Sequence, residues 1–323
     1  MNRTGIAFLC LLGGMAQAAP TVYIPTGTGN VVVAVDAATH VPTATFTGVE
    51  NAHGLAATPD GEYLVAGSLS ETPGAGGDRP AGRLFFIHPA HGHVMFTIPA
   101  AGGSHHLAVT PDGRYVLATH GGRGTLGVVD LEANRPVREI RTGQGPNFVL
   151  VAKDGRRAYV SNTGDNNIAE VDLSTWTVTR TLDAGPAPGH MVFSRDGRRI
   201  YAGNLTAGTV TEVDVASGKA VRRFRIGKGV HGLDLGDDGT TLFVTSRREQ
   251  RLVALDLATG ARRTLALEPE PYHLAAVRGT GRLYVSSARA PLVWVVDQDT
   301  LAVTGSFKLP AGQGHQMVVV PGE

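Results

Sequence analysis

The stretch HHLAVTPDG, residues 105–113, joins two histidines to an alternating apolar run and a Pro-Asp-Gly turn. Its outline recurs along the chain as HGLAATPDG from His53, NFVLVAKDG from Asn147, GHMVFSRDG from Gly189, HGLDLGDDG from His231, HLAAVRGTG from His273 and HQMVVVPG from His315. Successive copies start 42 residues apart, except that the first step is 52. The ten additional residues coincide with the Gly/Pro-rich SETPGAGGDRP, residues 70–80, which reads as a loop insertion.

Each period holds the same order of parts. An apolar strand runs into the Asp-Gly turn, a second strand such as AYVSN follows, then a loop, a third strand ending in VDL or VDV, a turn such as ASGK, and a fourth strand such as VRRFRIG. Four antiparallel strands in about 40 residues make a unit that cannot bury both faces alone; stacked in a ring, such units form a β-propeller. Seven first strands predict seven blades. The N-terminal TVYIPTGTGNVVVAVDAATHVPTATFTG supplies only second, third and fourth strands, whereas HQMVVVPG supplies only a first strand, so the two ends are expected to complete one blade. Closure of this kind removes exposed sheet edges.

Composition agrees with an all-β class. Of 323 residues, 43 are Gly and 18 are Pro, and only 18% are charged, which favours short strands joined by tight turns over long charged helices. The repeats PDGRYVLATH, KDGRRAYVSN, RDGRRIYAGN and GRLYVSS, each followed by a VDLxT-like segment, resemble the YVTN-type β-propeller family over nearly all of the chain. That resemblance implies the seven-bladed fold. For function it implies only a range, from secreted or periplasmic binding modules through lactonase-like enzymes to metal or haem proteins.

Residues 1–18 carry Arg3, the apolar run Ile6 to Leu12 and the small-residue sequence Ala16-Gln17-Ala18, the pattern of a secretory signal peptide cleaved after Ala18. Residues 19–323 then form one propeller, expected to be periplasmic or secreted, monomeric, and not inserted in a membrane. The single cysteine, Cys10, lies in the leader, so the mature chain is expected to have neither disulfides nor thiolate ligands. Loss of Arg3 from 29 basic residues leaves 28 against 28 acidic ones, a balance that gives no global field for nucleic acid.

The periodicity also assembles a site. His53, His105, His190, His231, His273 and His315 sit at or one residue from the start of an innermost strand, so they are expected to ring one mouth of the central channel, with Asn147 in the third blade's slot. His120, at the end of a second strand, is expected to face the same mouth from farther out. Strand alternation assigns His105 to the channel and turns His106 away. Clustered imidazoles suit zinc or copper better than oxygen-loving cations. Asp234, Glu268, Glu270, Glu71 and Asp78 are the acids near the mouth in sequence and candidates to orient a ligand, above all Glu270 and Asp78. His88, His91 and His93 form a second candidate cluster at a hairpin turn, for which a solvated turn is the favoured reading.

Two functions follow as expectations. One is a periplasmic metal-binding propeller, acting as a metallochaperone or as the scaffold of a metal site. The other is a non-catalytic interaction module whose loops bind a periplasmic protein or small ligand, with Arg247, Arg248 and Arg251 as a basic loop; a lactonase-like hydrolase stands third. No Ser-centred elbow, phosphate-binding Gly loop or His-Glu-x-x-His helix supports other chemistry.

Overall fold

The computed structural model describes residues 19–73 and 81–322. Residues 1–18, the expected leader with Cys10, and the insertion residue Asp78 lie outside them. Seven four-stranded antiparallel sheets are present among the described residues, and in six of them the strands run in chain order from the inside out. The seventh is composite: Val318–Val320 pairs with Thr21–Pro25, followed by Val32–Asp36 and Val41–Phe46. The expected all-β, seven-bladed ring closed by its two ends is therefore the observed fold. No helix of the described residues is long and apolar enough to cross a membrane.

The decisive turn is built by its own side chains. Thr110 Oγ1 donates to Asp112 Oδ1 at 2.5 Å and accepts from Tyr115 N at 3.0 Å, while Asp112 Oδ1 also accepts from Arg114 N at 3.1 Å. Gly113 follows at φ 72°, a conformation that a Cβ would strain. Thr58 with Asp60 and Ser194 with Asp196 repeat the arrangement.

The apolar run packs between blades. Each of seven hydrophobic clusters draws on two neighbouring blades, as where Leu117 and Val128 meet Val149 and Val160, or Leu252 and Phe243 meet Leu283 and Val296. Stability is thus a cyclic sum of interfaces, each fully buried aliphatic side chain contributing about 1.5–3 kcal/mol.

Closure has a second clasp beyond the strand pairing. The Gln316 side chain crosses to two other blades, accepting from Leu55 N at 3.3 Å and Leu107 N at 3.2 Å and donating to Leu107 O at 3.1 Å. Gln316→Ala leaves two buried N–H groups unpaired, so it is expected to lower unfolding free energy by about 1–3 kcal/mol in urea denaturation. An unchanged midpoint would show that water replaces the amide at no cost.

Candidate histidine-lined funnel

Five of the seven innermost strands start irregularly. Register shifts occur between Ala52 and Gly54, Pro146 and Val149, Pro188 and Met191, Val230 and Leu233, and Pro271 and Leu274. At a β-bulge two residues oppose one partner and strict alternation of faces is lost. Two consecutive positions per blade can therefore project inward. The outer tier holds His53, His105, Asn147, Gly189, His231, Tyr272 and His315; the inner tier holds Gly54, His106, Phe148, His190, Gly232, His273 and Gln316.

Second-strand hydroxyls fix these positions. Thr119, Ser161, Thr245 and Ser286 each hold an inner-tier backbone N–H of their own blade, those of His106, Phe148, Gly232 and His273, at 2.9–3.2 Å. The same hydroxyls donate to carbonyls of the next blade, those of Asn147, Gly189, Tyr272 and Gly314, at 2.6–2.8 Å. The small polar residues of the ATH, VSN, VTS and VSS segments thus clamp the inward-facing residues.

The imidazoles converge closely. His106, His190 and His273 are buried, and the His106 ring lies 4.6 Å from that of His190, with His190 4.7 Å from His273. His53 is buried as well, its ring 4.3 Å from His105, 5.0 Å from His106 and 4.2 Å from His315. Three overlapping donor groups result, each with its ligand atoms within 4.8 Å of one another: His106, His190 and His273; His53, His105 and His106; and His53, His273 and His315. His231 stands at the edge, its Nε2 3.4 Å from that of His273.

The pair that opens the repeat is corrected by this geometry. Both members face the cluster, and His106, expected to turn away, is the more deeply buried. Alternation does not apply to them, because the strand proper spans only Leu107–Val109 and both residues oppose Thr119: His105 N donates to its carbonyl and His106 N to its hydroxyl. His120 is corrected too. It is buried, but its ring lies over Gly127 of the same blade, against Ala100 and Ala101, with Nδ1 3.3 Å from Gly103 O. A Cβ on Gly127 would stand 2.4 Å from His120 Nε2, so the glycine provides the slot that takes this ring away from the mouth.

Of the acids, Asp234 accepts from Ala276 N at 2.9 Å and pairs with Arg278, which ties it to the neighbouring blade rather than to an imidazole. Glu71 accepts from Gly103 N at 2.7 Å, and Glu268 is exposed. Glu270 reaches the mouth but pairs with Arg289 at 2.6 Å and Arg247 at 3.8 Å. His88, His91 and His93 occupy the hairpin turn, His88 stacked on His91 at 4.0 Å and His93 Nδ1 2.8 Å from His91 O. Neither this trio, His120 nor His231 belongs to a close donor group among the described residues.

The cluster's electrostatics follow from burial without counter-ions. Desolvation, reinforced by repulsion from other imidazoles, holds His53, His106 and His273 well below the usual histidine range and pushes His190 down to about 3. His315 is pushed down to about 4 by the same causes. At neutral pH these rings are uncharged. His53 Nδ1 lies 2.9 Å from His105 O, and His105 and His106 Nδ1 lie 3.2 and 2.8 Å from Asn147 O. Facing a carbonyl, each Nδ1 must donate its proton, which leaves Nε2 with a free lone pair. The Nε2 atoms of His106 and His190 are buried without a hydrogen-bond partner. A neutral imidazole with a carbonyl-anchored Nδ1 and an unengaged Nε2 is the form in which histidine ligates metals.

Comparison with known proteins agrees on the fold. A family profile described as YNCE-like β-propeller matches residues 140–240, consistent with the YVTN-type propellers that the repeats resemble. No curated protein matches the chain in sequence. Among solved structures, it is similar to the periplasmic gluconolactonase PpgL of Pseudomonas aeruginosa, at 18% identity and a TM-score of 0.76 over 93% of this chain and 99% of that one. It is similar also to hydrazine synthase of Kuenenia stuttgartiensis, at 22% identity and TM-score 0.68 over 77% of each chain. A putative 6-phosphogluconolactonase of Bacteroides uniformis aligns at 15% identity and TM-score 0.77 over 94% of this chain and 100% of that one. At these identities the likeness is one of architecture.

Proposed function

We propose that this seven-bladed propeller is a periplasmic binding protein that holds a transition-metal ion among the inward-facing imidazoles, as a metallochaperone or the scaffold of a metal site. The observation that carries the reading is the buried Nε2 of His106, which has no partner while its Nδ1 is committed to the Asn147 carbonyl. An unsatisfied buried polar atom costs about 1–3 kcal/mol, and two such Nε2 atoms belong to His106 and His190, whose rings lie 4.6 Å apart. A metal ion bound by His106, His190 and His273 would satisfy both.

Copper and zinc are the candidates, since imidazole nitrogen suits each. Copper is favoured by the donor set. Every ligand is neutral, and a monovalent ion, whose solvation energy scales with the square of its charge, loses far less than a dication on entering a site without carboxylate or thiolate. In the divalent state, too, copper stands above zinc in intrinsic affinity for nitrogen donors.

The test is metal analysis of tag-free protein followed by titration of the metal-free form with Cu⁺, Cu²⁺ and Zn²⁺. One equivalent of tightly held metal is the expected result. Uptake no tighter than that of a surface histidine, for all three ions, would overturn the reading.

A further inference from the structure

Beside the imidazole cluster opens a cavity of about 1070 Å³, formed by loops and blade linkers, with His105, Asn147 and His231 on its wall. Its ionisable lining is unbalanced: Arg225, Lys228, Arg247, Arg248 and Arg289 stand against Glu249 and Glu270, five cations to two anions. Both acids are already engaged, Glu270 by Arg289 and Arg247, Glu249 by Arg251. Among the described residues Arg225, Lys228 and Arg248 form no ion pair. The excess of charge is concentrated in a concave site rather than spread over a convex surface, and a concave low-dielectric wall focuses a field.

Arg247 is held for a purpose that its present contacts do not fulfil. Its guanidinium carbon lies 4.7 Å from the ring centre of Tyr272, and the same ring stacks on His231 at 4.3 Å with 21° between planes. Its Nε is buried and lacks a hydrogen-bond partner. A guanidinium fixed by an aromatic face and left with a donor unspent is arranged for a planar, multidentate acceptor. The cation also explains the layout of the cluster, because His231, which shares Tyr272 with it, is absent from all three close donor groups. A metal ion is favoured on the far side of the ring, an anion on this one.

We propose that the funnel is a binding site for a small organic anion bearing at least two oxyanion groups, carboxylate or phosphate, with Arg247 and Arg289 as anchors and His231 at its inner wall. The volume is sufficient for a metabolite-sized ligand. The site adjoins the metal cluster without sharing its anchors: His105, a member of one close donor group, lies on the cavity wall, whereas Arg247 and Arg289 stand with His231, which belongs to none.

Calorimetric titration of chelator-treated, metal-free protein with citrate, and separately with inorganic phosphate, at constant ionic strength set by NaCl, tests this directly. Saturable binding of at least one probe is expected, weakened on the order of tenfold or more by Arg247→Met, which keeps the aliphatic stem on Tyr272, and likewise by Arg289→Gln. Arg198→Gln, at an exposed arginine of an Asp-Gly turn that does not line the cavity, should leave the constant unchanged. Circular dichroism establishes folding of each variant, and the two anchors guard against loss of either one. Absence of saturable binding by both probes, binding indifferent to both anchor variants, or equal weakening by Arg198→Gln would overturn the proposal. Because no metal is present, its failure leaves the metal reading untouched, and the reverse also holds.

Discussion

His106→Ala is expected to weaken metal binding more than His105→Ala, and His231→Ala to leave it nearly unchanged. The ranking comes from geometry. His106 belongs to two of the close donor groups, as do His53 and His273, whereas His105 belongs to one and His231 to none. His106 is also the residue whose Nε2 lone pair is buried and unengaged. Outer partners of a metal ligand typically matter by about 10–100-fold in affinity, so loss of a ligand itself should cost on the order of 100-fold or more. His273→Ala should match His106→Ala. Removing either ring also removes a desolvated imidazole, so the folded state tolerates the loss better than that of an apolar residue of equal size. His106→Gln offers a second variant that keeps a polar side chain of similar reach. Competition titrations with a chromogenic chelator give the constants. If His231→Ala proves as damaging as His106→Ala, the ion sits at the rim and the inner group is only structural.

That ranking could not have been read from the repeat period alone, and the reason is local. The 42-residue spacing fixes which strand each histidine starts, and the Thr-Pro-Asp-Gly hydrogen bonds make the turn legible as a turn. Seven blades, their order and the composite closure all follow from those two signals. Alternation within a strand then fails at the one place where the site is built, because positions 105 and 106 precede the strand proper, both oppose Thr119 and face inward together. The irregular start has a trace in sequence, the hydroxyl residue at Thr119, Ser161, Thr245 and Ser286, whose role emerges only when its two backbone partners are known. His120 was misplaced for a similar reason: its direction depends on Gly127, seven residues away on the next strand. The anion funnel draws on five blades, with Arg247 from one and Tyr272, Glu270 and Arg289 from its neighbour, so no linear pattern announces it.

Acid is expected to destabilise the metal-free protein well before its carboxylates protonate. An unfolded histidine titrates near 6.5, whereas His106 and His273 in the fold lie well below that and His190 lies at about 3. Above pH ~6.5 these rings are neutral in both states and contribute no pH dependence. Below it the unfolded chain takes up protons that the fold refuses, so stability falls as pH falls, and continues to fall until the folded-state values are reached. Each fully displaced titration gives a slope of about 1.4 kcal/mol per pH unit, and with His53, His231 and His315 also held down the six rings together give at most about 8. For a chain of this size that corresponds to a Tm decrease on the order of 10 °C per pH unit. The turn carboxylates, such as Asp112 and Asp196, are held below their usual value by hydroxyl and backbone hydrogen bonds, so their share is lost only at lower pH. The interval between pH ~6 and ~5 therefore isolates the imidazoles. Calorimetric scans there should show the steep decline, and His106→Gln should flatten it by about a sixth, one of the six strongly depressed rings having been removed. Bound metal competes for the same lone pairs, so loaded protein should hold its Tm to lower pH and then lose ion and fold together. A Tm that is flat between pH 7 and 5, or a slope that His106→Gln leaves unaltered, would mean that the cluster opens to water and takes up protons without unfolding.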